Sequence, residues 1–323
     1  MLVRWGIIST ARINDKFIAG ARQSSALEIL AVASRQRDSA ERYAADNGIE
    51  RTYGGYDALL ADPDIDAVYI SLPNSMHVEW TVKALEAGKH VLCEKPMGRR
   101  AADVQMAFDV AEREGRLLME AFMYRHNPQT RRLVELLEAG AVGRVRLIRS
   151  AFSFAAGDPA NVRLSKALDG GALMDVGSYC VSGSRLIAGE PERVGAEQVT
   201  GGDGVDIVFA ATMRFADDVL AHFDAGLALD TRDALEVVGD EGTLFLDDPW
   251  HCLEPVIQLY RDGVRELIEV EVVNSYLLEA ENMSAAIRGE ASPLLGRADA
   301  YGQARAIEAL YEAADTGRTV ALS

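Results

Sequence analysis

The chain contains no run of about 18 consecutive apolar residues, so no helix is expected to cross a membrane. Cysteine is scarce. Cys93, Cys180 and Cys252 are odd in number and far apart, with no C-x-x-C pair, which excludes a disulfide framework and fits buried thiols in a reducing compartment. The histidines (His77, His90, His126, His222 and His251) show no H-x-H or H-E-x-x-H spacing, and no metal is expected. Positive charge is in short supply. The formal net charge is -17, which argues against a nucleic acid as main partner while leaving room for a local pocket that takes one phosphate. Lysine is rarer still: the 33 basic residues divide into 28 arginines and 5 lysines, so each lysine is worth weighing. The first residues, Met1-Leu2-Val3-Arg4-Trp5-Gly6, enter a strand pattern at once and leave no space for a signal peptide; the expected compartment is the cytoplasm.

What is present is ordinary for a globular protein: 323 residues, 49% apolar and 26% charged, enough for two domains. Residues 1–121 alternate strand and helix patterns. Strands are expected at Val3–Ile8, Leu27–Ala33, Asp66–Ser71, His90–Cys93 and Leu117–Met119, with helices at Ile13–Arg22, Ser39–Asn47, Ser75–Ala87 and Ala101–Glu114. Gly48, Gly88 and Gly115 fall just past helix ends, where C-caps belong. Repeated βα units of this length imply a parallel, doubly wound Rossmann sheet, whose ligands bind at the carboxyl ends of the strands.

Four of those strand ends carry candidate chemistry. After the first comes Ser9-Thr10-Ala11-Arg12-Ile13-Asn14, where the dinucleotide fingerprint G-x-G-x-x-G would fall on Ser9, Ala11 and Asn14. All three glycines are missing. Small Ser9 and Ala11 still permit close backbone approach, and a helix N-terminus supplies free N–H groups to a pyrophosphate; an ordinary βα turn has the same look. After the second strand, Ser34 stands where an NAD-binding fold places an acid for the ribose, and Arg35 follows with Arg37 nearby. Loss of the acid and gain of arginine suit a 2′-phosphate, so NADP is expected over NAD. Leu72-Pro73-Asn74 and His77 come next, as a lining for the nicotinamide side or, for His77, as a structural group at a capped helix start. Val91-Leu92-Cys93-Glu94-Lys95-Pro96 then ends a buried strand on an acid, a lysine and a proline that removes a backbone donor and holds Lys95 extended.

From about Phe122 the βα rhythm stops, and residues 122–323 form the second expected domain. Strands are expected at Arg144–Phe154, Arg193–Thr200, Asp206–Phe215, Val219–Asp224, Leu235–Val238, Gly242–Leu246, Val256–Tyr260 and Glu266–Val273. Their succession without helices between them implies a large, mostly antiparallel sheet. Helices Gly171–Ala188, Tyr276–Arg288 and Ala300–Asp315 are expected on one face, and homodimerisation through the other if that face is apolar. Asp175 and Tyr179 are four apart and share a helical face, with Gly177 between them and apolar neighbours Leu173, Met174, Val176 and Val181. Cys180 points elsewhere, toward the core.

Four segments occur in order: Arg4-Trp5-Gly6-Ile7-Ile8-Ser9-Thr10-Ala11-Arg12-Ile13, Glu94-Lys95-Pro96, Glu120-Ala121-Phe122-Met123-Tyr124-Arg125 and Gly170-Gly171-Ala172-Leu173-Met174-Asp175-Val176-Gly177-Ser178-Tyr179. Together they resemble the Gfo/Idh/MocA family of NAD(P)-dependent oxidoreductases, most of all the branch with dihydrodiol dehydrogenase, D-xylose 1-dehydrogenase and glucose–fructose oxidoreductase, over essentially the whole chain. The resemblance implies a catalytic set of Lys95, Asp175 and Tyr179. It also implies a cofactor or substrate role for Arg163 and, more weakly, for Tyr276; Arg125 is a cleft or structural residue. A free tyrosine titrates near ~10, and lowering it by about three units takes roughly 4 kcal/mol. One ammonium at about 4 Å supplies an interaction of that size at an effective dielectric near 20. Lys95 is thus the activator of Tyr179 or itself the acid/base, and Asp175 holds Lys95 or a substrate hydroxyl. The expected activity is hydride transfer between NADP and an aldose or cyclic polyol, with keto-sugar reduction, dihydrodiol oxidation and a non-enzymatic NAD(P)-sensing role as alternatives.

Overall fold

The structure, a computed structural model, describes residues 2–158 and 160–322 and divides into two compact units. The first comprises residues 1–98, 102–123 and 274–301. It is built on β1 (Val3–Ile8), α1 (Ile13–Ala21), β2 (Leu27–Ala33), α2 (Arg37–Asn47), β3 (Arg51–Tyr53), α3 (Tyr56–Leu60), β4 (Ala67–Ile70), α4 (His77–Glu86), β5 (His90–Glu94), α5 (Ala101–Arg113) and β6 (Leu118–Ala121). The six strands are parallel in the order β3-β2-β1-β4-β5-β6. The order reverses between β1 and β4, where a doubly wound sheet opens its crevice. All of β4 is buried, as is β1 apart from Arg4, and β5 is buried from Val91 onward. Phe17 of α1 stacks on Tyr69 of β4 at 4.0 Å between ring centroids.

The second unit comprises residues 99–101, 124–273 and 302–323. It contains α6 (Pro128–Glu138), β7 (Val145–Ala155), α7 (Ser178–Ala188), β8 (Arg193–Thr200), β9 (Asp206–Arg214), β10 (Leu220–Gly226), β11 (Ala228–Gly239), β12 (Gly242–Leu246), β13 (Val256–Arg261) and β14 (Val264–Glu269). After α8 (Ser275–Ile287) and α9 (Arg297–Thr316), β15 (Val320–Ala321) completes a nine-stranded sheet ordered β14-β13-β12-β11-β7-β10-β9-β8-β15. All its pairs are antiparallel except β10 with β7. α7 lies on β7 and β10 and is pinned by a buried relay: Arg185 Nη1 donates to Gln303 Oε1 (3.1 Å), and Gln303 Nε2 donates to the Ser178 carbonyl (2.8 Å). The other face of the sheet carries cross-strand ion pairs, Arg149 with Glu236 at 3.0 Å and Arg232 with Asp224, beside exposed Leu220 and Val199. It mixes charged pairs with exposed apolar side chains.

The architecture agrees with the expected Rossmann sheet followed by a mostly antiparallel sheet with helices, and three differences have physical causes. β3, α3 and β15 are two to five residues long, too short to leave a periodic pattern. α6 is an additional helix ahead of the expected run of strands, its N-terminus set by the Asn127 side chain accepting from Gln129 N–H and by Pro128 at the first helical position. The expected helix Tyr276–Arg288 belongs with the first unit instead of covering the second sheet. It packs on α1, where a Cβ on Gly20 would lie 2.6 Å from the Leu277 backbone nitrogen, and Trp5 Nε1 donates to Ser284 Oγ at 3.2 Å.

Candidate active site

In the first unit the chemistry gathers at the carboxyl ends of β1, β4 and β5. Ser9, at the first fingerprint position, has φ 140°, a conformation that favours glycine. Its side chain and carbonyl hold it there. Ser9 Oγ lies 2.7 Å from Ser71 Oγ and accepts from Ala11 N–H at 3.1 Å. Asn14, at the third fingerprint position and fully buried, donates from Nδ2 to the Ser9 carbonyl (3.0 Å) and accepts at Oδ1 from Ser71 Oγ (2.5 Å). The loop thus keeps the fingerprint's shape with hydrogen bonds in place of glycines. Thr10, Ala11 and Ile13 are half-buried and Arg12 is exposed at the start of α1, so this βα turn fits a pyrophosphate.

At the end of β2, Ser34 N–H donates to the Tyr53 carbonyl, and Arg35 is exposed with no ion pair among the described residues. Arg37 differs, since its Nε pairs with Glu41 at 2.9 Å. Of the two arginines, Arg35 keeps a free guanidinium for a 2′-phosphate. Pro73 and Asn74 are half-buried at the start of a short helical turn and Leu72 is buried. His77 does not face outward: it is 1% exposed, with Nδ1 2.9 Å from the Pro96 carbonyl and Nε2 2.7 Å from the Leu72 carbonyl. Burial, then the Lys95 charge, hold its pKa below the ordinary value against the pull of the two carbonyls.

Lys95 is half-buried between Glu94 and a cis-bonded Pro96. Glu94 is turned inward, accepting from the Tyr69 hydroxyl and, at 3.2 Å, from the Lys95 backbone N–H. Tyr276, expected among substrate residues, lies in this unit within electrostatic reach of Glu94 and Glu279, and burial with those acids raises its phenol pKa. Glu279 was not legible as a site residue. It is fully buried, neither carboxyl oxygen has a hydrogen-bond partner among the described residues, and burial followed by the Glu94 charge pushes its pKa well up.

In the second unit, Leu173–Gly177 form a single π turn ahead of α7, where a regular helix was expected. Such turns are frequent at functional sites. Gly170 and Gly171 allow its tight entrance: a Cβ on Gly170 would lie 2.3 Å from the Arg163 carbonyl, and one on Gly171 2.1 Å from Asp206 Oδ1. Buried Asp206 fixes the start of the turn, accepting from Leu173 N–H at 2.6 Å and from the Tyr311 hydroxyl at 2.9 Å. Arg163 Nε donates to Asp175 Oδ2 at 2.6 Å, so the acid expected to hold Lys95 or substrate has a cationic partner in its own unit. Tyr179, 8% exposed, sits among Phe152, Tyr124 and Trp250 with ring centroids 5.3, 5.8 and 6.0 Å away. Arg125 Nη1 lies 3.5 Å from Ser182 Oγ, to which the Tyr124 hydroxyl also donates at 2.7 Å.

Phe152 and Trp250 were missed because isolated aromatics in strands and turns read as core. Beyond Phe152, the His251 ring meets Asp233 at 2.6 Å, and ligand atoms of Asp233, Asp248 and His251 lie within 4.8 Å of one another, a grouping that histidine spacing could not show. Cys93, Cys180 and Cys252 are buried free thiols, and burial raises the pKa of each, so none suits a nucleophile.

Residues 3–122 match the family model of the oxidoreductase family with NAD-binding Rossmann fold, and residues 130–245 match the GFO/IDH/MocA C-terminal domain. The chain is 37% identical to D-xylose 1-dehydrogenase (NADP(+)) 2 of Haloferax volcanii, over 98% of this chain and 99% of that one. It is 35% identical to trans-1,2-dihydrobenzene-1,2-diol dehydrogenase of Danio rerio, over 76% of this chain and 74% of that one. The crystal structure of aldose-aldose oxidoreductase from Caulobacter crescentus, complexed with glycerol, superposes over the whole of both chains with a TM-score of 0.93 at 27% identity. Two matched domains and near-complete coverage at this identity lead to one conclusion: the chain belongs to the Gfo/Idh/MocA family of NAD(P)-dependent oxidoreductases.

Proposed function

We propose that this oxidoreductase uses NADP and transfers a hydride to or from a hydroxyl-bearing carbon of an aldose or related cyclic polyol. The observation that carries the reading is the surroundings of Tyr179: a phenol walled by three other aromatic rings, four residues beyond an acid already paired with Arg163. Aromatic faces suit the C–H surface of a sugar ring, and an arginine–aspartate pair suits its hydroxyls. The named relatives that act on xylose, aldoses and dihydrodiols share a vicinal-hydroxyl carbon skeleton, which supports the same substrate class here.

The nicotinamide, when bound, supplies the hydride acceptor or donor. The chain's residues do the rest. Ser9, Thr10, Ala11, Arg12 and Ile13 bind the pyrophosphate, Ser34 and Arg35 the adenosine ribose and its phosphate, and Leu72, Pro73 and Asn74 border the ring. Tyr179 carries the proton, with the Lys95 ammonium favouring phenolate, while Arg163 neutralises Asp175 and so weakens its opposition to that charge. Glu94 orients Lys95 from behind, and Tyr276 keeps its proton. We also read the open face of the nine-stranded sheet as the surface of a homodimer, which a measured solution mass would decide.

The test is NADP reduction across a panel of aldoses, polyols and trans-dihydrodiols, with NADPH oxidation by keto-sugars as the reverse assay. Turnover with at least one aldose or polyol is expected. Tight NADP binding with no turnover in either direction would favour the nucleotide-sensing alternative.

A further inference from the structure

We propose that His77 is a positioning residue for Lys95: its imidazole bridges the carbonyl just past β4 to the carbonyl that follows Lys95, and so fixes the backbone that carries the lysine. The inference rests on Lys95 being a reacting group, and the geometry lies wholly in the first unit. Leu72 is two residues beyond β4, and Pro96 is two beyond β5, its neighbour in the sheet. Between strand ends that no further ladder bonds connect, His77 Nε2 reaches the Leu72 carbonyl at 2.7 Å and Nδ1 reaches the Pro96 carbonyl at 2.9 Å. The ring is 1% exposed, so water cannot substitute for either contact. No serine or apolar side chain at this position could serve two carbonyls on opposite sides.

The chemistry of the bridge ties it to the charge on Lys95. A neutral imidazole has one N–H, so it donates to one carbonyl and turns a lone pair to the other; only the imidazolium donates to both. Two carbonyls favour the second proton, while burial and the Lys95 ammonium oppose it. Lys95 is the charged group that acts on this ring. While Lys95 is charged, His77 is a neutral ring that donates to one of the two carbonyls; once that charge is removed it gains the second proton, and with it the second hydrogen bond, more readily.

Two measurements on the full chain test this. The first is the histidine titration by nitrogen-detected NMR, in the wild type and in Lys95→Met. The His77 midpoint should rise in the variant by at least half a pH unit. An unchanged midpoint, or no titration in either protein before unfolding, overturns the coupling. The second compares His77→Leu with His77→Asn. The leucine variant should lose at least 20-fold in kcat while its Kd for NADP stays within threefold, and asparagine, which restores one N–H donor, should recover at least fivefold of that loss. A leucine variant with a lowered Tm but a kcat within twofold of wild type would make His77 merely structural and overturn the proposal. If leucine prevents folding, the asparagine variant and the titration decide. Should the wild type turn over no sugar, polyol or dihydrodiol, the functional reading fails, and the titration still decides the link between His77 and Lys95.

Discussion

Ser9 and Ser71 meet across the switch point of the parallel sheet, their hydroxyl oxygens 2.7 Å apart, with Asn14 bonded to both residues. This triangle stands in for the glycines that a dinucleotide loop ordinarily uses. Asn14→Ala would leave the Ser9 carbonyl without its side-chain donor and the Ser71 hydroxyl with Ser9 Oγ alone, at a cost of about 1–3 kcal/mol. The variant should melt several degrees lower and bind NADP at least tenfold more weakly. Wild-type melting together with wild-type binding would show that the loop holds its shape without the asparagine.

Arg35 is an exposed guanidinium at the end of β2 with no ion pair among the described residues. Arg35→Ala should weaken NADP by at least tenfold and NAD by less than twofold, because the 2′-phosphate is the only difference between the two. Isothermal titration with both dinucleotides measures this. Equal losses, or none, would assign the phosphate to another group.

Glu279 has its folded-state pKa raised well above the ordinary 4.5, first by burial and then by Glu94. Between 4.5 and that raised value the folded chain holds a proton the unfolded chain has released, so stability falls as pH rises through this window. Glu279→Gln, which cannot ionise, should gain in Tm over wild type as pH goes from 5 to 9. A Tm difference independent of pH would mean that Glu279 does not titrate there.

At the acid end the sign is opposite. Burial lowers His90 to about 4 and His126 to about 3, and lowers His77 as well. His90 Nδ1 accepts from Leu117 N–H at 3.0 Å, a bond that protonation destroys, and His126 Nε2 is buried without a partner among the described residues. Their contribution is fully present above the ordinary value of 6.5 and is lost as pH falls through the lowered values. At about 1.4 kcal/mol per unit, His126 alone accounts for several kcal/mol. Chemical denaturation should show stability dropping from pH 6.5 to 4, and less steeply in His90→Gln, whose amide oxygen can still accept the Leu117 N–H.

Much of this molecule is readable from residue order, for identifiable reasons. βα units of the first half announce themselves through strand runs and glycines such as Gly48 at positive φ past α2. Lys95, Asp175 and Tyr179 stand out because rare or polar residue types fall at strand ends or among apolar neighbours. What sequence order hides is long-range placement. Tyr276 looked like a residue of the second half, and long-range contacts such as the close approach at Gly20 and the Trp5–Ser284 hydrogen bond bind its helix to the first unit. Asp206 is the first residue of β9, as expected, and its side chain also fixes the π turn, which the sequence did not show. The Arg163–Asp175 pair and the Phe152 and Trp250 walls depend on contacts across 12 to 99 residues, which no local pattern encodes.

The role of Tyr179 as proton carrier is tested most directly by the pH–rate profile of wild type, Tyr179→Phe and Tyr179→His with one accepted substrate. Tyrosine serves as base only as phenolate, so wild-type oxidation should rise with pH through the apparent pKa of the Lys95–Tyr179 pair. Tyr179→Phe keeps the ring and its packing against Phe152, and should bind NADP normally while losing at least 100-fold in kcat. Tyr179→His should recover part of the rate, with the rise displaced toward lower pH as imidazole titrates nearer neutrality. A phenylalanine variant with near-normal rates and an unchanged profile would contradict the account and leave Lys95 as the acid/base.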